Sequence, residues 1–271
     1  MASRMNSFLD DDGEKKPLRL EEETASYLVQ IESSFDGLDE TDGEAVGLLV
    51  ENVLDELKHR TASASADRST NAVVEKLILY AGLESCVEFA KRLTPYIMFL
   101  SRNRHSSHVV QSLCARVAHL ISTGGVTEAD VAFLGDTDKM EQLGVMFRRL
   151  FDPILADFSE MATDLNGSHV VRAIFCLCAG MPIAAERRGK NAKHAHSVSF
   201  SQPLHKLLSK STLCMDQAHA FAVPSALSAC LTNAIKTIGE LPVTSLQELS
   251  CEPAAAAVFN ILHRIIFNTQ L

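Results

Sequence analysis

Ser106-Ser107-His108-Val109-Val110-Gln111-Ser112-Leu113 and Gly167-Ser168-His169-Val170-Val171-Arg172-Ala173-Ile174 are two copies of one phrase. Each reads small, Ser, His, Val, Val, polar, small, aliphatic, and each opens an apolar run of helix length. A looser copy precedes them, Thr70-Asn71-Ala72-Val73-Val74-Glu75-Lys76-Leu77, with Ala72 in place of the histidine. Two degenerate copies follow at residues 224–228 and 255–259, where the polar triplet is lost. A phrase that recurs with slack between its copies marks a repeat array, whose units bury their apolar faces against one another. The copies lie 36 residues apart from Asn71 to Ser107 and 31 from Pro224 to Ala255, the length of a helix pair. The spacings of 61 (Ser107 to Ser168) and 56 (Ser168 to Pro224) equal a pair plus an insertion. The expected fold is all-α, a right-handed superhelical solenoid of helix pairs with insertions.

Composition agrees. The chain is 46% hydrophobic and 22% charged, with no Trp and three Tyr, and its apolar residues recur at helical rather than alternating spacing. The net charge of −9 is unevenly spread. Residues 1–60 hold 6 basic and 16 acidic residues; the remainder holds 19 basic, 18 acidic and nine of the ten His. Overall acidity therefore excludes no nucleic-acid partner and requires only that a basic surface be local. Seven scattered Cys, mostly on apolar stretches, read as reduced, buried small hydrophobes of an intracellular protein. The opening residues have no signal-peptide pattern, and no apolar run approaches the ~18–20 residues of a membrane span.

Taken in order, residues 1–20 read as a disordered acidic tail and residues 21–271 as the array, part of a longer one. A short helix carries Tyr27, Leu28, Ile31 and Phe35. The next holds Val46, Leu49, Val50, Val53, Leu54 and Leu57 on one stripe. Residues 62–66 read as a small-residue linker before a helix over 71–80. Pro95 splits a helix over 84–100. Residues 122–139 and the basic stretch 184–199 read as insertions, and Pro153 bends a long helix. Helices are expected at 201–209, 216–221, 225–238 and 253–267.

Within the phrase, Ser107 and Gln111 stand at i and i+4 and share a helix face, while Val109 and Val110 turn to the core. Two hydrogen-bonding side chains and an imidazole then face a groove, which suits an unstacked base read on its edge with a ring stacked beside it. The plain alternative is a buried, hydrogen-bonded packing histidine and solvated polar neighbours. Cys176, Cys178, His194 and His196 could be assembled into a zinc set, but a Cys-x-Cys on an apolar helix points its thiols about 200° apart. No Gly-rich phosphate loop, zincin helix or nucleophile elbow is present. The expectation is a binding protein, not an enzyme, with no cofactor, metal, membrane or small-molecule substrate.

The sequence resembles the pumilio (PUF) repeat family, whose solenoid is armadillo-like, and within it the nucleolar protein 9 branch. Arg104 to Gln111, Asn166 to Arg172 and Leu177-Cys178-Ala179-Gly180 carry the resemblance. It covers residues 25–180 and weakens after 200. It implies an RNA-binding superhelix acting in nucleolar maturation of small-subunit (18S) pre-ribosomal RNA, among pre-ribosomal particle proteins. Carried over, the base-reading pairs are Asn71/Glu75, Ser107/Gln111 and Ser168/Arg172, the stacking residues are His108 and His169, and Arg104 stands just before a reading helix. Ala72 cannot stack, and neither Pro224/Ser228 nor Ala255/Phe259 can read a base edge, so shape and backbone recognition are expected to carry part of the affinity. Two other readings stay open: an armadillo- or HEAT-like scaffold holding a peptide, and a cytoplasmic messenger-RNA regulator.

Overall fold

The computed structural model of the chain describes residues 8–9, 15–16, 19–37, 43–181, 183 and 220–269. Within the expected tail, Phe8–Leu9 pairs antiparallel with Lys15–Lys16. From Glu22 onward every regular element described is helical. The fold is an all-α solenoid.

Its unit is three helices rather than the expected pair. A long helix leads to a short one, and the short one turns into a helix that opens on the repeated phrase. The first unit is α2 (Gly43–Glu56), α3 (Thr61–Ala66) and α4 (Asn71–Tyr80), preceded by α1 (Glu22–Gly37). The second is α5 (Leu83–Leu93), α6 (Ile97–Arg102) and α7 (Ser106–Thr123). Pro95 produces the division between α5 and α6, where Thr94–Tyr96 tightens into a 3-10 turn. After α8 (Glu128–Gly135) comes the third unit: α9 (Thr137–Ala156), α10 (Phe158–Thr163) and α11 (Gly167–Cys178). The fourth is α12 (Ser225–Gly239), α13 (Val243–Cys251) and α14 (Pro253–Thr269).

The third helices form one row, α4 against α7, α7 against α11 and α11 against α14. The first helices form the other, α2 against α5, α5 against α9 and α9 against α12. The core fills the space between the rows. Phe89, Phe147, Phe151 and Phe175 are fully buried in it, each worth about 1.5–3 kcal/mol of burial. Phe158 stacks on Phe175 and meets the edge of Phe259, tying α10, α11 and α14 together.

Several expectations need correction. Residues 62–66 are not a linker: α3 is a buried helix whose small residues allow close approach, with Thr61 Oγ1 donating to Leu57 O (2.9 Å) and Ser65 Oγ to Thr61 O (2.7 Å). The 122–139 insertion stands as an ordered one: it holds α8, anchored by the buried Asp130. Its Oδ1 accepts from Leu83 N at 2.8 Å, capping α5, and its Oδ2 accepts from Thr127 Oγ1 at 2.9 Å. α13 was not expected, because it is short and largely solvent-facing. Residues 220–224 are not helical. The 184–199 insertion, the 201–209 helix and most of 216–221 lie outside the described residues.

The flanks of that undescribed stretch meet. Phe221 N donates to Gly180 O at 2.9 Å. Gly180 takes φ +62°, and a Cβ there would sit 2.0 Å from Phe221 O. Pro224 closes on α9, where a Cβ on Gly144 would fall 2.6 Å from the proline Cβ. Gly144→Ala is therefore expected to lower the urea midpoint, because its Cβ would have to displace the Pro224 ring. Gly180→Ala should lower stability by about 1–3 kcal/mol, since alanine resists a left-handed φ even before the clash. Urea denaturation followed at 222 nm checks both.

Candidate functional site

Each of the first three phrase helices is launched by the same device. Asp67, Asn103 and Asp164 end the short helices in extended conformation, at ψ 133°, 134° and 135°. Asn103 Oδ1 accepts from His105 N (2.9 Å) and Ser106 N (3.2 Å). Asp164 Oδ1 accepts from Asn166 N (2.9 Å) and Gly167 N (2.7 Å). Asp67 Oδ1 accepts from Ser69 N (2.8 Å) and Ser69 Oγ. These Asx turns satisfy amide donors at the helix start and reverse the chain. Their backbone carbonyls then accept from Asn71 N, Ser107 N and Ser168 N at 3.0, 3.0 and 2.9 Å. Sequence reasoning missed this trio. Its signal was an Asp or Asn four residues before the phrase's first polar residue.

The same bond fixes the register of the last copy. Glu252 O accepts from Ala256 N at 2.8 Å, so Ala256 and Asn260, not Ala255 and Phe259, correspond to Ser107 and Gln111. The degenerate copy at Pro224 is no phrase helix at all; Pro224 precedes α12, which belongs to the other row.

The i, i+4 partners do share a face, but not an open one. Asn71, Ser107 and Ser168 are buried, as are Glu75 and Gln111. Their hydrogen bonds turn inward. Asn71 Nδ2 donates to Glu75 Oε1 (3.4 Å), Gln111 Nε2 to Ser107 O (3.1 Å) and Arg172 Nε to Ser168 O (3.3 Å). Gln111 Oε1 is buried without a hydrogen-bond partner. The surface of the row is made one residue later. Ala72, His108 and His169 are each half-buried, Arg172 is half-buried, and Arg104 is exposed. The expectation that the polar pairs face a groove is thus corrected for Asn71/Glu75 and Ser107/Gln111. Of the Ser168/Arg172 pair only the arginine reaches the surface.

Electrostatics join adjacent helices. Arg172 hydrogen-bonds His169 Nδ1. His169 is pushed down to about 4 from 6.5, first by burial, then by the Arg172 charge and by His108 on the neighbouring helix. The row therefore presents a neutral imidazole at physiological pH. Arg102, beside Arg104, is consumed: it pairs with Glu160 at 2.5 Å and reaches Asp164 at 4.0 Å, while its carbonyl accepts from Asn166 Nδ2 at 2.8 Å. Among the described residues, no three His, Cys, Asp or Glu are grouped to hold a metal ion, and no helix is long and apolar enough to cross a membrane. Cys176 and Cys178 are buried, and the His194 and His196 considered with them lie outside the described residues.

Residues 61–270 match the family model described as the NOP9-like PUF repeat domain. The chain belongs to that family. NOP9-like relatives include nucleolar protein 9 of Meyerozyma guilliermondii, 20% identical over 234 residues, which are 86% of this chain and 32% of that protein. Human nucleolar protein 9 is 22% identical over 246 residues, 84% of this chain and 38% of the relative. The chain thus spans about a third of the length of these curated relatives. The solved structure of APUM23 with GGAAUUGACGG superposes with a TM-score of 0.64 at 18% identity, covering 91% of this chain and 40% of that one, and shows the shared PUF fold.

Because folded His169 holds off protonation until about pH 4 while the unfolded ring protonates near 6.5, acidification through that window favours unfolding. Stability should fall as pH drops from 6.5 toward 4, and His169→Gln should lose that part of the dependence. Urea denaturation across this range, with the His169 ring titration followed by NMR, measures both.

Proposed function

We propose that this NOP9-like PUF array binds RNA across the row of α4, α7 and α11, and acts in nucleolar maturation of small-subunit ribosomal RNA. The observation that carries this is the half-buried line of His108, His169 and Arg172, on adjacent helices set in one register. Imidazole rings and a guanidinium plane are groups on which unpaired bases stack. In this reading Arg104, His108, His169 and Arg172 touch RNA. Asn71, Glu75, Ser107, Gln111 and Ser168 set the row's shape from beneath. RNA, held within a pre-ribosomal particle, is the partner, and the activity is binding rather than catalysis. The nucleolar setting is supported by the relatives called nucleolar protein 9, and RNA as the partner by the solved structure of APUM23 with GGAAUUGACGG.

Fluorescence anisotropy with single-stranded and structured pre-ribosomal RNA fragments tests the reading. The His108→Ala/His169→Ala/Arg172→Ala variant, with unchanged helicity, should bind at least about tenfold more weakly, since stacking is worth about 1–3 kcal/mol per base. Unchanged affinity would remove the site from this row. No affinity in the native chain would end the RNA reading.

A further inference from the structure

The Asx register brings together residues that the phrase does not include. One position after Asp67, Asn103 and Asp164 stand Arg68, Arg104 and Leu165, and all three are exposed. The three are structurally equivalent, because the preceding residues share backbone conformation, side-chain turn and the carbonyl bond to the phrase helix. They therefore line one edge of the solenoid, at the starts of α4, α7 and α11. Those helices pack side by side, which spaces equivalent positions by about 8–10 Å.

The edge changes character along the array. Arg68 and Arg104 have no ion-pair partner among the described residues. Their neighbours on the same elements are engaged. Arg60 pairs with Glu21, and Arg102 with Glu160 and Asp164. At the third step the guanidinium is replaced by Leu165, 74% exposed. A large apolar side chain left in solvent where two equivalent steps carry an exposed cation marks an end to the charged rim.

We infer that Arg68 and Arg104 form a two-step phosphate rim that tracks the RNA backbone along the helix starts of the first two phrase helices, and that the track stops at Leu165. This rests on the RNA reading above and adds to it a residue, Arg68, and a polarity: backbone contacts on the α4–α7 side, stacking on the α7–α11 side. Arg68 acts through charge at the rim, so its removal weakens all RNA sequences alike. His169 acts on a base.

The test is the salt dependence of binding to a single-stranded RNA of mixed sequence, read by anisotropy between 50 and 200 mM KCl for the native chain, Arg68→Gln, Arg104→Gln and Leu165→Arg. Each phosphate contact on a single strand contributes about 0.7 to the slope of log K against log [salt]. Each glutamine variant should lose about that much, and Leu165→Arg should gain a similar amount. All three positions are exposed, so circular dichroism should be unchanged. A native chain that binds RNA with a slope indifferent to Arg68→Gln, or to Leu165→Arg, overturns the rim and leaves the RNA reading standing. A native chain without RNA affinity defeats that reading, and inorganic polyphosphate then decides the rim alone. Binding weakened by Arg68→Gln upholds a phosphate site, and absence of binding overturns it.

Discussion

A side-chain oxygen accepting two donors sets the geometry of this array. Asp67, Asn103 and Asp164 each end a short helix and bend the chain back on itself. Each then offers its own carbonyl to the first turn of the next helix. Without that acceptor the amides at the start of α4, α7 and α11 would need other partners, in a region where Thr70, Ser106 and Gly167 are buried. The position beneath the turn shows how tightly it is built. Thr70 Oγ1 and Ser106 Oγ donate to the short helix at Ala64 O and Leu100 O, both at 2.8 Å. In the third unit the same place is Gly167, where a Cβ would stand 2.8 Å from Met161 O. Thr and Ser bond across this gap, and in the third unit it is close enough that a Cβ would clash.

From these turns follow the row, its register and its surface. Because the helices start in phase, residues at the same step line up across units. His108 comes to lie where its charge is felt at His169, and the rim residues share one edge. The inward hydrogen bonds of Asn71, Gln111 and Arg172 hold the face stiff from below. What is left on the outside is a sparse set of rings and guanidinium groups on a rigid surface, which reduces the entropy lost when a flexible strand is ordered on it.

Much of this was legible in the sequence. The repeated phrase gave away the solenoid, because valine pairs at a fixed offset from a polar residue have few other uses. The helix over 71–80 and the split at Pro95 followed from periodicity and from proline's missing amide. What escaped had weak apolar signals. The helix over Thr61–Ala66 is built of Ala, Ser and Thr, whose burial comes from close packing, not from a hydrophobic stripe. The short helix after Pro242 faces solvent. The polar pairs were placed on the correct face but at the wrong depth, because i, i+4 spacing fixes direction and says nothing of how near the neighbouring helix lies.

Asp130 ties α8 to the preceding unit by a bond reaching 47 residues back along the chain. It caps the amide of Leu83. Arg116, nearby on α7, donates from Nε to Ala81 O at 2.8 Å, and its Nη1 is buried without a hydrogen-bond partner. Burial lowers the Arg116 guanidinium below its usual value, and the Asp130 charge works against that. On a growing chain α5 is made before α8, with α6 and α7 between them. Until Asp130 arrives, the start of α5 lacks its side-chain cap, so the final docking of the second unit waits for α8. A contact between neighbours in the array thus also sets an order of assembly at this joint.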